Sequence, residues 1–598
     1  MKNILKMYAT DDTIKDKISE VYAPDMGGAV YSVLTSVSRG KDNYDVATFE
    51  SDGWPLDGSK YITDILTARR PIMSLSLSDD NCGFSTIPTI DITFSSVSAI
   101  NGITLLLTED YCTDLTVLFL DETGIAIKTI TITGNDKPEI FIPDVAENVA
   151  TMRIEFIKTR YPKHFARLEN IEFGKILTFE DDILSIDTIS ECNPQCLSIP
   201  NGQINFTVVS KNEEFSITNP KGIYQNLKKD QNIYYYTLNN GVKKIQGVYY
   251  LSDWKEVQDG IYSFTAVDAI GYLKTKKFIG TNILSETDIS TVAHSILADA
   301  NFKGKISAYT TSKKLNGFIK PQTCAEALYM LATSLGYYVR VTRSGDIQMQ
   351  SEYNDIEPPI LIDYSDMLSP LKITQMNNIQ GYKVGYTTWD VVPGIEMKVQ
   401  GNFEPIYSVV STDNKPLDYN FDLTNLPQTG GTAISGFAGG NFNADTYSVE
   451  TDVSKSSILT VLSASTRLGY INVIAKCEFT GANKDPSHFV IKLTGRYLNN
   501  ISEKYEVQRF SSESQYIDVS GNTLITTSQK ANEVGQLLTK YSQNKLKCIF
   551  KTDNFDMLES GIDIYTSDKY GNELHGIISR ISTDGTGVAE IEVIGSVI

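Results

Sequence analysis

The 598-residue sequence has few of the residues that mark disulfide-rich, metal-binding or fibrous proteins: 7 cysteines, 4 histidines and 19 prolines. An odd number of scattered cysteines excludes a disulfide framework, and the low proline content excludes a collagen-like or proline-rich fibre. The close pair Cys192 and Cys196 has no second pair and no nearby histidine, so reduced thiols are favoured over a zinc site. We therefore expect no metal and no cofactor.

Long apolar runs are also missing. The longest, such as 103–107 and 115–120, fall far below the roughly 18 residues that a membrane-spanning helix needs. The N-terminus is charged, but no apolar segment follows it, because Thr10, Asp11 and Asp12 come almost at once. We expect no secretory signal and no membrane span. The chain is expected to be made in the cytoplasm and to stay soluble there unless a cell or a particle carries it out.

Basic residues are in deficit. The chain has 53 Lys and Arg against 73 Asp and Glu, a net charge of −20, and no segment gathers a strong basic block. Such a charge repels the phosphate backbone, so a sequence-specific nucleic-acid reader is excluded, whereas a duct through which nucleic acid slips without sticking stays compatible. The 41% of hydrophobic residues exclude disorder, and the length corresponds to about three to five domains.

The dominant pattern is an alternation of apolar and polar residues. Ile204, Phe206 and Val208 alternate with polar residues, and turn signals such as Asn239-Asn240-Gly241 separate such runs along the chain. This pattern predicts a mainly β protein made of several sandwich or barrel domains, with one small α+β unit and a C-terminal helix.

Three helices are predicted within this β-rich chain. One spans 287–299, and a second follows Thr323 and Glu326, which stand at capping-box spacing, and ends before Gly336. A hairpin at 338–350 follows the second helix, and a third helix spans 529–541. The predicted organisation is an N-terminal arm at 1–71, an inserted β-sandwich at 72–174, a first β-domain at 175–280, an α+β unit at 281–350, a second β-domain from 351–400 plus 505–598, and a β-rich insertion with a glycine-rich loop at 401–504.

No catalytic constellation stands out. The histidines are far apart in the sequence, no GxSxG elbow occurs, and acidic neighbours such as Asp181-Asp182 are expected by chance among 73 carboxylates. Cys324 lies inside a helix-capping sequence, where packing is the favoured role. We expect that the chain is not an enzyme.

Several segments carry a resemblance to a known class of protein. Residues 47–59, ATFESDGWPLDGS, resemble a segment of tail proteins of phages of Gram-positive bacteria, and the sandwich after them resembles the carbohydrate-binding-type insert of those proteins. Segments 184–208 and 247–254 resemble the first β-domain of phage tail hubs, and 327–349 and 556–563 resemble later parts of such a hub. The resemblance covers about three quarters of the chain and includes no invariant catalytic motif.

The resemblance implies a structural protein of a phage tail tip or baseplate, or of a phage-derived contractile bacteriocin. Such hubs are trimers in which two tube-like β-domains per subunit form a pseudo-sixfold ring between a hexameric tail tube and threefold parts below. The implied partners are two further copies of the chain, the tail tube, distal tail or baseplate proteins and a central spike or tail fibre. The implied location is the virion, assembled in the host cytoplasm. A free carbohydrate-binding adhesin and a tail-associated cell-wall hydrolase stay open as alternatives.

The sandwich also suggests contact with cell-wall glycan. Aromatic rings stack on sugar rings and planar polar groups bind their hydroxyls, while the alternative is that the same loop residues pack against neighbouring subunits. The glycan-binding candidates are Tyr111, Asp110, Arg160, Tyr161, His164 and Arg167. Trp54 and Trp254 are candidates for interface residues.

Overall fold

The fold is that of a computed structural model of the whole chain. The structure describes residues 2–27, 30–35, 48, 50, 72–210, 214–216, 218–219, 222–308, 313–351, 360–377, 379–403, 417–431, 433–435, 437, 439–451, 457–479, 487–510, 515–542, 545–553 and 555–597. Strands dominate, and the described residues also contain five α-helices. The predicted mainly β fold class is confirmed.

Thirteen strands form one continuous main sheet. These strands are β1 (Lys2–Thr10), β11 (Gly174–Phe179), β12 (Ile183–Glu191), β13 (Gln203–Val209), β14 (Asn232–Asn239), β15 (Val242–Gln258), β16 (Ile261–Val267), β24 (Ile360–Ile362), β25 (Lys372–Gln375), β34 (Leu546–Thr552), β35 (Asp563–Ser567), β36 (Glu573–Thr583) and β37 (Ala589–Val597). Their order is β11-β1-β14-β15-β16-β13-β12-β36-β37-β34-β25, and β35 joins β24 to β36.

The main sheet consists of two β units with separate cores. In the first unit, β11 to β16 with β1, alternate residues such as Phe206 and Phe264 point inward and stack with ring centroids 5.0 Å apart. In the second unit, β24, β25 and β34 to β37, the inward residues include Phe550 and Ile591. The two units are joined edge to edge, because Thr188 to Glu191 of β12 pair antiparallel with Thr583 to Arg580 of β36.

A second sheet forms the body of the inserted sandwich. Its strands are β2 (Ile18–Tyr22), β5 (Thr89–Leu106), β6 (Cys112–Leu120), β7 (Ala126–Ile132), β8 (Glu139–Thr159) and β10 (Asn170–Glu172), in the order β10-β5-β8-β6-β7 with β2 beside β5. A small sheet of β3 (Met26–Gly27), β4 (Ile72–Ser74) and β9 (Arg167–Leu168), with helix α1 (Val30–Leu34), adds to the same core. One apolar core therefore unites the N-terminal segments and the sandwich.

An α+β unit follows the first β unit. It contains helices α2 (Ala269–Lys274), α3 (Ile289–Asp299) and α4 (Cys324–Leu335), and the short strands β17 (Lys277–Phe278), β18 (Leu284–Asp288), β19 (Ile306–Ala308), β20 (Lys314–Gly317), β21 (Gln322–Thr323), β22 (Tyr338–Val341) and β23 (Ile347–Gln350). The predicted capping box is confirmed, since Thr323 and Glu326 each accept the other's backbone N–H and Gly336 ends α4 in the left-handed conformation. Helix α3 begins two residues later than predicted, because the preceding residues form β18.

The remaining strands extend from the C-terminal half. They are β26 (Ile379–Phe403), β27 (Leu417–Asp422), β28 (Gln428–Gly430), β29 (Phe442–Thr451), β30 (Ser457–Arg467), β31 (Tyr470–Phe479), β32 (Ser487–Arg509) and β33 (Gln515–Val519), and helix α5 (Ser528–Tyr541) packs on the base of this group. Long β26 and β32 pair antiparallel from Gly381 opposite Arg509 to Phe403 opposite Ser487. The predicted C-terminal helix is confirmed as α5.

Some predicted boundaries fall within elements. Strand β1, which the sequence placed in an N-terminal arm, lies inside the main sheet between β11 and β14. Strands β26 and β32 run through the predicted limits at 400 and 505 without a break. The predictions of a separate arm and of a sharply bounded insertion both assumed that each segment pairs only with residues near it in the sequence. In the structure, strand pairing joins residues that are distant in sequence. The domain boundaries themselves stay predictions.

Candidate functional site

The predicted glycan-binding residues form one cluster on the sandwich. Tyr111 directly precedes β6 and Arg160 directly follows β8, and these strand ends are neighbours because Cys112 lies opposite Thr159. The Arg160 guanidinium carbon lies 4.8 Å from the ring centroid of Tyr111 and 5.0 Å from that of Tyr161. These are cation–π distances, so the exposed Arg160 contacts both rings.

The second arginine of the cluster is buried. Arg167 is 3% exposed, its Nη1 donates to Asp110 Oδ2 at 3.0 Å, and its Nη2 donates to the buried carboxylate of Glu50. Glu50 also accepts the backbone N–H of Phe165 at 2.8 Å. An arginine held between two carboxylates is not free to bind a ligand, so Arg167 links Glu50 to the sandwich.

His164 is buried beside these residues. Its Nδ1 lies 2.9 Å from the carbonyl oxygen of Pro162, and its ring centroid is 5.5 Å from that of Tyr161. The six predicted residues are thus brought together, but Tyr111, His164 and Arg167 face the protein interior. Only Asp110, Arg160 and Tyr161 reach solvent, and their role in binding glycan stays a prediction.

The two candidate interface tryptophans have different outcomes. Trp54 lies outside the described residues. Trp254 lies on β15 opposite Phe264 of β16, and its ring stands edge-on to Tyr224 at 6.4 Å. It is half-buried against the core of the first β unit, so the contacts described for Trp254 are within the chain.

The end of the main sheet is open. Strand β25 pairs with β34, and no other strand in the described ranges pairs with it. All four residues of β25 are exposed on both faces, and Ile373 has 44% of its surface exposed. A paired edge strand with no cover on either face is a template for another chain.

A polar junction joins the α+β unit to the second β unit. Arg343, in the turn between β22 and β23, donates to the carbonyl oxygens of Phe555 at 2.6 Å, Asp556 at 2.7 Å and Leu558 at 2.7 Å. Burial lowers the pKa of this arginine. Arg343 and Asp268 line a cavity of about 40 Å³. The Asp268 carboxylate accepts hydrogen bonds from the N–H groups of Gly202 and Gly271. Burial nevertheless raises the pKa of Asp268 to about 6.

A wider cleft of about 510 Å³ lies between β14, β15, α2 and the turn after β1. Three of its lysines are paired with aspartates: Lys276 with Asp230 at 2.5 Å, Lys303 with Asp16 at 3.1 Å and Lys228 with Asp11 at 3.0 Å. Such surface pairs contribute little individually. Within each of these pairs the positive and the negative charge cancel, so the paired lysines give the cleft no net positive charge.

The close cysteine pair lies in the interior. Cys192 and Cys196 are free and buried, and burial raises the pKa of Cys192 to about 12. Within the described ranges, no three His, Cys, Asp or Glu side chains are grouped to hold a metal ion. No helix among the described residues has the length and apolar character to span a bilayer.

Sequence reasoning missed the Arg343 junction and the pairing of β12 with β36. Arg343 lies within the hairpin predicted at 338–350, but nothing in the sequence indicates that its acceptors lie more than two hundred residues away. The pairing of β12 and β36 likewise leaves no local trace, because each strand has an ordinary alternating pattern.

Comparisons with known proteins identify similar structures. The chain is similar to the 43 kDa tail protein of prophage MuSo2 from Shewanella oneidensis, with 11% identity, a TM-score of 0.38, and coverage of 70% of this chain and 95% of that chain. It is also similar to a prophage tail protein from Listeria monocytogenes, with 8% identity, a TM-score of 0.33, and coverage of 70% and 91%. A chitosan-binding module from Paenibacillus matches 28% of this chain and 98% of its own length, with 12% identity and a TM-score of 0.18.

The neighbours include phage tail proteins, the class that the sequence resembles, and a carbohydrate-binding module that matches a smaller part of the chain. The resemblance to phage tail proteins is confirmed as a similarity of structure. No protein-family model matches the sequence, and no curated relative was found. TM-scores of 0.18 to 0.38 do not assign the chain to a family.

Proposed function

We propose that the chain is a structural protein of a phage tail tip or baseplate, which acts in the virion as a trimeric hub between tail tube and tip. The observation that carries this proposal is the continuous main sheet. Two β units are fused through β12 and β36, and the sheet ends in β25, which is exposed on both faces. A soluble protein normally protects such an edge; Lys372 is the one charged residue of β25, and the uncharged residues 373–375 are open to continuation by a neighbouring copy.

Head-to-tail pairing of this kind closes into a ring if the rotation between copies permits closure. Three copies with two β units each give six units around the axis, the number that the resemblance to tail hubs implies. The ring would meet the tail tube on one side and baseplate, spike or fibre proteins on the other. Assembly would take place in the host cytoplasm.

Each polar cluster described above favours a structural role. The carboxylates of Glu50 and Asp110 are engaged by Arg167, and three lysines of the wide cleft are engaged by aspartates. A glycosidase needs two carboxylates that face a sugar, in different environments. We therefore propose that the chain is not an enzyme; clearing of host cell walls in a zymogram by the purified chain would contradict this and favour the hydrolase.

The mass of the purified chain by light scattering, with electron microscopy of the particles, tests the hub. We expect a trimer or a ring with a central opening. Ile373→Pro, which removes a backbone N–H on the side of β25 that faces away from β34, should yield a smaller species, whereas Ile373→Val should not. A stable trimer that Ile373→Pro leaves intact would contradict assembly through β25.

The surface part of the sandwich cluster supports a glycan contact as a second role. Arg160 and Tyr161 present a planar guanidinium and a phenol ring side by side, a surface on which a sugar ring can stack. A glycan array probed with the full chain should give signals that Tyr161→Ala abolishes. Tyr570→Ala, which removes an exposed tyrosine of the second β unit, is the matched control. Equal array signals from both variants would contradict this role, and tight binding by a free monomer would favour an adhesin.

A further inference from the structure

Three polar side chains meet in the interior where the sandwich joins the main sheet. The chain leaves β1 at Thr10 and enters β11 at Gly174, and these two residues lie opposite each other in the sheet. Lys15 follows the exit from β1, whereas Asn170 and Glu172 precede the return to β11. Positions 15 and 170, which are 155 residues apart in sequence, are therefore neighbours in space.

Strand alternation directs two of these side chains the same way. Asn170 and Glu172 lie two residues apart on β10, so they share one face of the strand, while Ile171 between them packs into the sandwich core. The Lys15 ammonium meets the shared face, 3.2 Å from Glu172 Oε1 and 3.3 Å from Asn170 Oδ1. The side chains of Lys15 and Glu172 have no exposed surface, so solvent does not reach this ion pair.

The side-chain amide of Asn170 is placed for attack by an amine. Its oxygen accepts the backbone N–H of Ile171 at 2.8 Å as well as the Lys15 ammonium. A fixed N–H donor stabilises the negative charge that develops on such an oxygen when a nucleophile adds to the amide carbon. A desolvated lysine amine is a nucleophile, and the amide carbon is bonded to the oxygen that Lys15 already contacts.

Glu172 is placed to move the protons that this attack requires. An ammonium group is not nucleophilic until it loses a proton, and the Glu172 carboxylate is in contact with it. Two charges buried away from water are costly, and transfer of a proton from Lys15 to Glu172 removes both charges. The interior site therefore contains a nucleophile, an amide to be attacked, an oxyanion donor and a proton carrier.

We propose that Lys15 and Asn170 join through an amide bond that the chain forms by itself, with Glu172 as the catalytic base and acid. Lys15 Nζ gives a proton to Glu172 and adds to Asn170 Cγ, and the bond from Cγ to Nδ2 then breaks. Of the three ammonium protons, one stays on the new amide, one leaves with Nδ2 as ammonia, and one stays on Glu172. The balance requires no further reagent, and none of the three residues is charged in the product.

The bond closes residues 15–170 into a covalent loop at the base of the sandwich. A force that passes along the chain from β1 to β11 then crosses the new amide and bypasses the sandwich, which stays folded. Chains that have not lost ammonia keep the ion pair, and they are the reference for its contribution to stability. The bond forms within one chain, so this proposal does not depend on the trimer.

Peptide mapping by mass spectrometry tests the bond in the purified full chain. The intact wild-type chain should be lighter than its sequence by one ammonia. Trypsin does not cut after an acylated lysine, so digestion should release residues 7–17 joined to residues 168–175. The joined peptide decides, because a succinimide at Asn101-Gly102 would also lose ammonia. Unjoined peptides from the wild type, or a link to Glu172 with loss of water, would overturn the proposal.

Four variants assign the roles of the residues. Lys15→Arg removes the nucleophile, Asn170→Ala removes the amide, and Glu172→Gln removes the proton carrier, so each should keep the full mass of its sequence. Lys175→Arg is the control, since Lys175 forms a partly exposed pair with Glu214 at 2.9 Å, and it should still give the joined peptide. Circular dichroism establishes that each variant is folded. An undiminished yield of joined peptide from folded Glu172→Gln would overturn the role of Glu172.

Discussion

The ammonium group of Lys15 lies 3.2 Å from the carboxylate of Glu172, and neither side chain has any surface exposed to solvent. Lys15 stands in a single 3-10 turn after β1, and Glu172 ends β10 of the sandwich. The side-chain oxygen of Asn170 accepts a further hydrogen bond from the same ammonium at 3.3 Å. A buried ion pair thus fixes the crossing from the main sheet into the sandwich.

Removal of one partner of this pair should destabilise the protein strongly. Lys15→Met leaves the Glu172 carboxylate buried without its cation, and we expect the free energy of unfolding to fall by about 3–5 kcal/mol. The double variant Lys15→Met with Glu172→Met should recover most of the loss, because both charges are gone. Urea unfolding followed by circular dichroism measures both; an equal loss in the two variants would contradict the assigned pairing.

Arg343 should hold the α+β unit to the second β unit. Arg343→Lys keeps the charge. A single ammonium group, however, cannot replace the two guanidinium nitrogens, Nη1 and Nη2, that donate to three carbonyl oxygens. We expect a loss of about 3 kcal/mol, with faster hydrogen exchange in 555–562 measured by mass spectrometry. The control is Arg509→Lys, at an exposed position where the guanidinium stacks on Tyr516, so that any loss there comes from one surface contact. Unchanged exchange in this segment would show that the junction contributes no stability.

Asp268 should make stability depend on pH. Its pKa in the folded protein is about 6 against an ordinary 3.8, so between these values the folded state binds the proton more tightly than the unfolded chain. Stability therefore falls as pH rises from about 4 to about 6, by about 3 kcal/mol from this group, and levels off above.

Urea unfolding of the wild type and of Asp268→Asn at several pH values separates this effect from that of other carboxylates. The difference in stability between the two proteins should change between pH 4 and 6 and stay constant from 6 to 8. A difference that is the same at every pH would contradict the assigned shift.

Gly535 should be intolerant of a side chain. It faces Tyr382 where α5 packs on β26, and a Cβ at this position would come within 2.3 Å of the tyrosine ring. Alanine is the better helix former by about 1 kcal/mol, yet we expect Gly535→Ala to destabilise the protein by about 1–3 kcal/mol through overpacking. Gln536→Ala, on the exposed side of the same helix, should be close to neutral. Thermal unfolding measures both, and a stabilised Gly535→Ala protein would contradict the close packing.

Local signals in the sequence were enough to predict the three longest helices. Thr323 and Glu326 identify the start of α4, and Gly336 identifies its end, because capping depends on residues a few positions apart. Alternation likewise predicts a mainly β fold. The pairing of β12 with β36 could not be predicted, since any alternating strand can pair with any other and the choice depends on the whole fold.

The candidate cluster illustrates the same limit at the level of side chains. The sequence places Arg160, Tyr161, His164 and Arg167 near one another, and they are neighbours. It does not indicate that Glu50, more than a hundred residues earlier, neutralises Arg167 in the interior. Burial of a charged residue is decided by a partner that is distant in sequence, so exposed and buried members of such a cluster look alike beforehand.

The paired strands β26 and β32 have a mechanical consequence. At residues 386–391 of β26 and 498–503 of β32, no third strand among the described residues is paired with these two, and we call this part the neck. Strand β33 pairs with β26 at 379–384, on one side of the neck, and β29 pairs with β32 at 489–497, on the other side. A pulling force on the strands beyond the neck, β27 to β31, is carried by the two covalent backbones of the neck in parallel. Few hydrogen bonds therefore bear this force. Sideways bending is opposed where Trp389 stands edge-on to Phe318 of the α+β unit at 5.3 Å. The neck is therefore stiff under pulling, and its resistance to torque depends on one aromatic contact and its neighbours.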